Sequence, residues 1–135
     1  MEIKEYKDYC EDEICRLYAA AGWTAYTKDK EALKEGFKHS LLALAAYEDD
    51  RLLGIVRAVG DGATVVLIQD LLVCPGRQRQ GIGTALLQAV LDRYQNVRQI
   101  QLVTDDDEKT KAFYRSMGLS ELSESGCCGF MRILR

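Results

Sequence analysis

A basic, glycine-containing loop lies between two apolar stretches near the middle of the 135-residue chain. It contains Gly81 and Gly83, with Arg77 and Arg79 just before them. The apolar run at 68–74 predicts a strand before the loop, and the apolar spacing after it predicts a helix. The first turn of a helix has unpaired N–H groups and a partial positive charge, which glycines leave accessible. The segment therefore predicts an anion-binding loop, most naturally for phosphate or pyrophosphate.

Spacing separates three kinds of phosphate-binding loop. A dinucleotide fingerprint needs a third glycine where Leu86 stands, and a P-loop needs a lysine after Gly83, where Thr84 stands. The sequence Gln78-Arg79-Gln80-Gly81-Ile82-Gly83 fits a third pattern, Gln/Arg-x-x-Gly-x-Gly/Ala. It resembles the acetyl-CoA-binding signature of the GCN5-related N-acetyltransferase (GNAT) superfamily. The alternative is an ordinary strand-to-helix turn whose glycines allow tight packing.

A second stretch, nearer the C-terminus, also resembles this superfamily. Phe113-Tyr114 and Gly118 match the pattern Asn-x-x-Ala-x-x-(Phe/Leu)-Tyr-x-x-x-Gly-Phe. Asp107 stands at the asparagine position, with Thr110 and Leu119 at the alanine and second aromatic positions. The resemblance covers nearly the whole chain. It is closest to small bacterial members and more distant to plant plastid members, whose amine acceptors differ from one another.

The resemblance implies acetyl transfer from acetyl-CoA to a primary amine, by direct attack in a ternary complex without a metal. It also implies that backbone groups of Leu72 and Val73 pair with the pantetheine arm, while loop N–H groups hold the pyrophosphate. The implied cofactor-binding residues are Leu72, Val73, Gln78, Arg79, Gln80, Gly81, Ile82, Gly83, Thr84 and Asp107.

Five side chains are candidates for catalysis or acceptor binding. Through its motif position, Tyr114 is the implied acid for the leaving thiolate, because a phenol with an ordinary pKa of about 10 is protonated at neutral pH. The alternative is a core aromatic. Asp70 is the candidate base, directly or through water; it could instead recognise the amine or pair with an arginine. Trp23, Thr24 and Tyr26 are candidate acceptor-binding residues, or else a plug over the core.

Hydrophobic patterning indicates the elements that position these residues. Strands are predicted at 2–6, 41–47, 52–59, 64–73, 98–103, 119–122 and 129–134, and helices at 12–21, 28–40, 81–94 and 109–117. This order predicts a mixed sheet with helices on its faces, of the α/β (α+β) class. It is also the order of the GNAT fold, which implies about six to seven strands and about four helices, with strands splayed at the cofactor site.

Composition limits the remaining function classes. The chain has 18 Lys and Arg against 21 Asp and Glu, a net charge of −3 and 47% hydrophobic residues, which together with its length predicts one globular domain spanning 1–135. Its cysteine usage is typical of a reduced, cytoplasmic protein. We expect no nucleic-acid partner, because no basic stripe exists, and no membrane span. Five cysteines without a Cys-x-x-Cys and one histidine, His39, predict neither disulfides nor a metal site.

The expected partner is the acceptor: a small-molecule amine, or a protein lysine or N-terminus. The resembled family also implies a possible homodimer. A non-catalytic module that binds or senses acyl-CoA is the alternative function, since the loop alone supports both.

Overall fold

The computed structural model describes residues 1–134, which form two compact units. The first unit, Met1–Val103, holds five strands and four α-helices, and the second begins at Thr104. The strands are β1 (Glu2–Glu5), β2 (Leu42–Glu48), β3 (Arg51–Gly60), β4 (Val65–Val73) and β5 (Gln99–Leu102). The helices are α1 (Glu11–Ala20), α2 (Thr24–Thr27), α3 (Lys30–Lys38), α4 (Ile82–Arg93), α5 (Glu108–Ser116) and a 3-10 helix (Leu122–Ser125).

The sheet is mixed, with spatial order β1-β2-β3-β4-β5. The pairs β1–β2, β2–β3 and β3–β4 are antiparallel, whereas β4 and β5 are parallel. Asp49 and Asp50 form the β2–β3 turn with φ values of 50° and 65°, the left-handed geometry of a two-residue hairpin turn. The predicted fold class is thus confirmed, with a lower strand count than expected. The single-domain boundary stays a prediction.

Helices α1 and α3 pack against the sheet through one apolar cluster. Ile14, Leu17 and Tyr18 share one face of α1, because residues three and four apart are neighbours on a helix. The cluster comprises Ile14, Leu17, Tyr18, Leu33, Ala45, Leu52, Ile55 and Leu72. The predicted strand before the glycine loop is therefore anchored at Leu72 by the core of the first unit.

Helix α4 packs closely where β3 has a glycine. A Cβ atom at Gly54 would lie 2.8 Å from the carbonyl oxygen of Leu72 and 3.2 Å from side-chain carbons of Ile82 and Leu86. A contact this short to a backbone atom would force β4 to shift. Gly54 therefore allows the first turn of α4, which follows the glycine loop, to lie close to the sheet.

The two predicted C-terminal strands are wrong. Residues 119–122 make no strand, and the 3-10 helix begins at Leu122, where Glu121 and Glu124 form a reciprocal capping box. Residues 129–134 lie in no regular element. A short segment with apolar residues forms a strand only where a neighbour completes the ladder, and residues 1–134 provide none for these two segments. Helix α2 was not predicted, because residues 23–27 have no clear period.

No helix among residues 1–134 is both long and apolar enough to cross a membrane.

Candidate functional site

Strands β4 and β5 separate partway along β4. Their ladder runs from Val65–Gln99 to Ile68–Leu102 and stops there, while β4 continues to pair with β3 as far as Val73. The backbone edge of residues 69–73 that faces away from β3 therefore has no strand neighbour in the described chain. Unpaired N–H and C=O groups of this kind accept an extended chain as an added strand. This free edge includes Leu72 and Val73.

A β-bulge marks the point where the strands separate. Arg57 pairs with Asp70 and the next residue of β3, Ala58, pairs with Ile68, so Gln69 is an extra residue in β4. A bulge bends its strand and redirects the side chains that follow it. Gln69 is exposed, whereas Asp70 is 1% exposed.

The glycine loop leaves a set of backbone donors open. Gly81 is the N-cap of α4, with φ at 82° and no side-chain cap. The first intrahelical bond is the Ala85 N–H donating to the Gly81 carbonyl at 2.9 Å, so the N–H groups of residues 82–84 have no helical partner. No atom lies within 4 Å of the position that a Cβ on Gly81 would occupy. This is the geometry that an anion needs at a helix N-terminus.

The two loop arginines differ in what they contact. Arg77 donates from Nε to Gln80 Oε1 and from Nη2 to Glu48 Oε2, each at 2.9 Å, and so ties the loop to the end of β2. Its hydrogen bond and charge hold the pKa of Glu48 below its ordinary value. Arg79 is exposed, has a left-handed φ of 65° and makes no ion pair among residues 1–134. Arg79, with exposed Gln78 beside it, is the arginine available to a ligand.

Asp70 lies at the centre of a buried polar cluster. Its Oδ2 accepts from Tyr18 OH at 2.8 Å and from Arg57 Nε at 2.7 Å. Arg57 also donates to Ser40 Oγ at 3.3 Å and lies 5.4 Å from the centre of the Phe37 ring. Burial, together with the adjacent Asp70 charge, raises the pKa of Tyr18, so its phenol remains a donor. Oδ1 of Asp70 is buried and has no partner among the described atoms.

Tyr18 connects this cluster to the predicted acceptor residues. Its ring packs edge-on against Trp23 and Tyr26, with centroids 6.1 and 5.6 Å away, and those two rings stack at 6.0 Å. Gln69 Nε2 donates to Tyr26 OH at 3.0 Å. The structure thus brings Asp70, Trp23 and Tyr26 together around Tyr18. It leaves Trp23 36% exposed at the surface of this cluster.

Thr24 begins α2 beside these aromatic rings, and its side chain is exposed. Its carbonyl accepts from Thr27 Oγ1 at 3.2 Å, which closes the short helical turn. The Thr24 hydroxyl is therefore placed at the surface next to Trp23 in the chain.

The second unit contains the other two predicted site residues. Asp107 is the N-cap of α5, where Oδ1 accepts from the Thr110 N–H at 2.8 Å, and this bond lowers the pKa of Asp107. Tyr114 is half-buried and its ring lies edge-on to Phe113 at 5.0 Å. Burial raises the pKa of Tyr114 above its ordinary value, although a hydrogen bond with Thr104 acts in the opposite direction. Tyr114 is accordingly protonated at neutral pH.

Sequence reasoning missed Tyr18 and Arg57. Tyr18 follows the apolar period of α1, so nothing local marks its polar contact. Arg57 carried a usable signal, because it is the one charged residue in the apolar run 52–59, as Asp70 is in 65–73. Opposite lone charges in two adjacent apolar strands predict a buried ion pair.

Comparison with known proteins agrees with this geometry. The model of the acetyltransferase (GNAT) family matches residues 6–119. A GNAT-family acetyltransferase of Streptococcus pneumoniae has a structure similar to this chain, with a TM-score of 0.89 and 39% identity over 99% of this chain and 98% of that one.

Two curated relatives are more distant. An uncharacterised N-acetyltransferase of Prochlorococcus marinus is 26% identical over 87% of this chain and 67% of its own length. A histone acetyltransferase of Glycine max is 37% identical over 53% of this chain, and the match spans only 31% of that relative. Since the family model covers most of the sequence, and the similar solved structure nearly all of it, the chain belongs to the acetyltransferase (GNAT) family.

Proposed function

We propose that this chain transfers an acetyl group from acetyl-CoA to a primary amine by direct attack in a ternary complex. The observation that carries the proposal is the β4–α4 junction. A free backbone edge at Leu72 and Val73 leads into a glycine loop with three open N–H donors. That combination suits a ligand with an extended amide-containing arm and a pyrophosphate.

The residues present fit acetyl-CoA, which supplies an activated thioester when bound. The N–H groups of residues 82–84 and the side chain of Arg79 would hold the phosphates, with Gly81 leaving room for them. Gln78 and Gln80 complete the exposed loop, although Gln80 already accepts from Arg77. Leu72 and Val73 would orient the arm through their free backbone edge. Asp107 caps α5 through Oδ1, so only its other oxygen is free for a cofactor contact.

Two groups would handle protons. Tyr114 would donate its phenolic proton to the leaving thiolate, and its raised pKa keeps that proton in place at neutral pH. Asp70 would receive the proton of the amine through a water on Oδ1. A buried carboxylate oxygen without a partner favours such a water. Tyr18 and Arg57 would fix the carboxylate by occupying Oδ2.

Trp23 and Tyr26 would bind the acceptor, because their stacked rings pack against Tyr18, and the exposed Thr24, which lies between them in the chain, would contribute its hydroxyl. Aromatic faces attract cationic amines. The acceptor would be either a small-molecule amine or a protein lysine or N-terminus. The Glycine max relative is named a histone acetyltransferase, which makes a lysine peptide a useful member of the test panel.

The test is thiol release from acetyl-CoA against an amine panel that includes polyamines, arylalkylamines, amino acids, aminoglycosides and lysine peptides. We expect one class to raise thiol release well above hydrolysis. Tyr114→Phe should then lower kcat by about 100-fold or more, with KM for acetyl-CoA little changed. Saturable CoA binding with no acetylation of any amine would instead support the non-catalytic acyl-CoA-binding module.

Asp70→Asn tests the second proton step. If Asp70 accepts the amine proton through water, this variant should lower kcat and change the pH profile of kcat/KM. Folding of the variant is checked by circular dichroism. An unchanged pH profile in a folded variant would show that Asp70 only positions the residues that bind the acceptor.

A further inference from the structure

Two adjacent cysteines, Cys127 and Cys128, lie between glycines near the end of the described chain. Both are exposed, and neither is in a disulfide. A free cysteine is normally among the most buried residue types, and packing accounts for Cys74, which lies against the apolar cluster of the first unit. Packing does not account for two neighbouring exposed thiols. Their reactivity is therefore the property that distinguishes them.

The end of the 3-10 helix holds Cys127 in place. Gly126 ends this helix with φ at 75°, and the Cys127 N–H donates to the Leu122 carbonyl at 2.9 Å. The Cys127 thiol also donates weakly to the Ser125 carbonyl oxygen at 3.6 Å. Neither the N–H nor the thiol of Cys128 donates a hydrogen bond within residues 1–134. An anchored thiol thus stands beside one that can rotate toward it or toward solvent.

The glycines on both sides leave the backbone room to adjust. Nothing lies within 4 Å of the position that a Cβ on Gly126 would occupy, and for Gly129 the nearest atom is Leu122 Cδ1 at 3.9 Å. Glycine also reaches backbone conformations that other residues rarely adopt. Closing a ring through the Cys127–Cys128 peptide needs this freedom, because the ring changes the dihedral angles of both cysteines.

We propose that Cys127 and Cys128 form a vicinal dithiol, a modification site that reacts reversibly with low-molecular-weight disulfides. The Cys128 thiolate attacks one sulfur of the small disulfide, forms a mixed disulfide and releases one small thiolate. The Cys127 thiolate then attacks the Cys128 sulfur, closes the intramolecular disulfide and releases the second small thiolate. The two cysteines lose two electrons to the small disulfide, and their two protons go to the released thiolates.

The spacing of the two cysteines makes the closed form easy to reduce. The peptide between them is trans, so their Cα atoms are about 3.8 Å apart, whereas disulfides usually join Cα atoms about 4.4–6.8 Å apart. A disulfide at this spacing is strained, and strained or exposed disulfides are the labile and regulatory ones. The site therefore responds to the balance of thiols and disulfides around the protein and does not act as a structural staple.

The experiment treats the reduced full chain with oxidised glutathione, blocks the remaining thiols by alkylation and digests the chain with trypsin. The peptide 116–132, cut after Arg115 and Arg132, contains both cysteines and no other. Mass spectrometry should show that this peptide has lost two hydrogen atoms and has escaped alkylation. Its yield should not change when the protein is diluted, because the bond forms within one chain. Reduced glutathione should reopen the bond.

Single variants test the order of the two steps. Cys127→Ser should stop at a mixed disulfide between Cys128 and glutathione, because the second thiol is missing. Cys128→Ser should form its mixed disulfide several-fold more slowly, because Cys127 is anchored. Cys10→Ser is the matched control, since Cys10 is also exposed, and it should leave closure unchanged. Because all three positions are exposed, these variants should keep the parent circular dichroism spectrum.

The modification can be scored without any measurement of activity, since neither cysteine is among the residues proposed for acetyl transfer. A parent peptide that stays reduced or keeps a bound glutathione would overturn the proposal. So would a disulfide that links two chains, or one that reduced glutathione does not open. Equal rates for Cys127→Ser and Cys128→Ser would overturn the assignment of the first attack to Cys128.

Discussion

The ion pair between Arg57 and Asp70 gives the sharpest stability prediction. Arg57 Nε lies 2.7 Å from Asp70 Oδ2, and the two side chains are 6% and 0% exposed. Removing one partner of a buried pair leaves an uncompensated charge and costs about 3–5 kcal/mol. We expect Arg57→Met and Asp70→Asn each to lower the free energy of unfolding by that amount. The amide oxygen introduced by Asp70→Asn would still accept a hydrogen bond from Tyr18, which limits the change to the charge.

The double variant distinguishes a buried pair from two independent contributions. Simple addition predicts a loss of about 6–10 kcal/mol, close to the whole stability of a typical domain. Because neither charge is left unpaired in the double variant, we expect it to lose no more than the worse single variant. Urea unfolding of the parent protein, the two single variants and the double variant, with linear extrapolation, gives the four free energies of unfolding of this double-mutant cycle. A double variant within about 0.5 kcal/mol of the sum would refute the reasoning.

Arg93→Met is the matched control for this cycle. Arg93 Nη1 lies 2.8 Å from Glu5 Oε1, nearly the same distance, but the side chains are 51% and 36% exposed. Water screens exposed pairs, so the control should be indistinguishable from the parent protein. A large loss in the control would show that distance, and not burial, decides the cost.

Three further predictions concern the loop, the strand packing and a turn. Arg79 has a left-handed φ, so Arg79→Gly should be about 1–2 kcal/mol more stable than Arg79→Ala in urea unfolding. Both variants should raise the KM for acetyl-CoA about tenfold, because both lose the guanidinium group. Equal stability of the two variants would show that the backbone at residue 79 is not strained. Gly54→Ala should cost about 1–3 kcal/mol in the same assay, because its Cβ would press on the Leu72 carbonyl. The same shift of β4 should raise the KM for acetyl-CoA. An unchanged KM would show that the packing at Gly54 does not affect cofactor binding. Asp61 accepts from Thr64 Oγ1 and from the N–H groups of residues 63–65, and these hydrogen bonds depress its pKa. The contribution of Asp61 to stability is therefore present above about pH 4 and is lost as the pH falls below that value. The thermal midpoint of Asp61→Asn should fall less than that of the parent protein between about pH 4 and pH 2.

The glycine loop could be predicted from the sequence because its determinants are local. The spacing of Gly81 and Gly83 and the apolar periods on either side decide the strand, the turn and the start of the helix. The turn at Asp49-Asp50 was predictable for the same reason. No information about distant residues is needed at these places.

The surroundings of Asp70 could not be predicted in this way. Asp70 contacts Tyr18, 52 residues away, and Arg57, 13 residues away. The register that pairs it with Arg57 depends on the extra residue, Gln69, and a bulge has no reliable local signature in this sequence. The prediction of a C-terminal strand failed for a different reason: residues 129–134 are mostly apolar, but apolar residues do not supply the neighbouring strand that a ladder needs.

The bulge at Gln69 links the two halves of the proposed site. Upstream of it, β4 has a neighbour on each edge, and downstream one edge is free. Because Gln69 is an extra residue, the side chain after it, Asp70, points into the α1 side and meets Tyr18, while Gln69 itself turns outward to Tyr26. One inserted residue therefore coincides with both the edge proposed for the pantetheine arm and the acceptor-side cluster. The same segment of β4 thus positions both the edge proposed for the cofactor and the residues proposed for the acceptor, so the apolar stretch before the glycine loop matters to the proposal as much as the loop does.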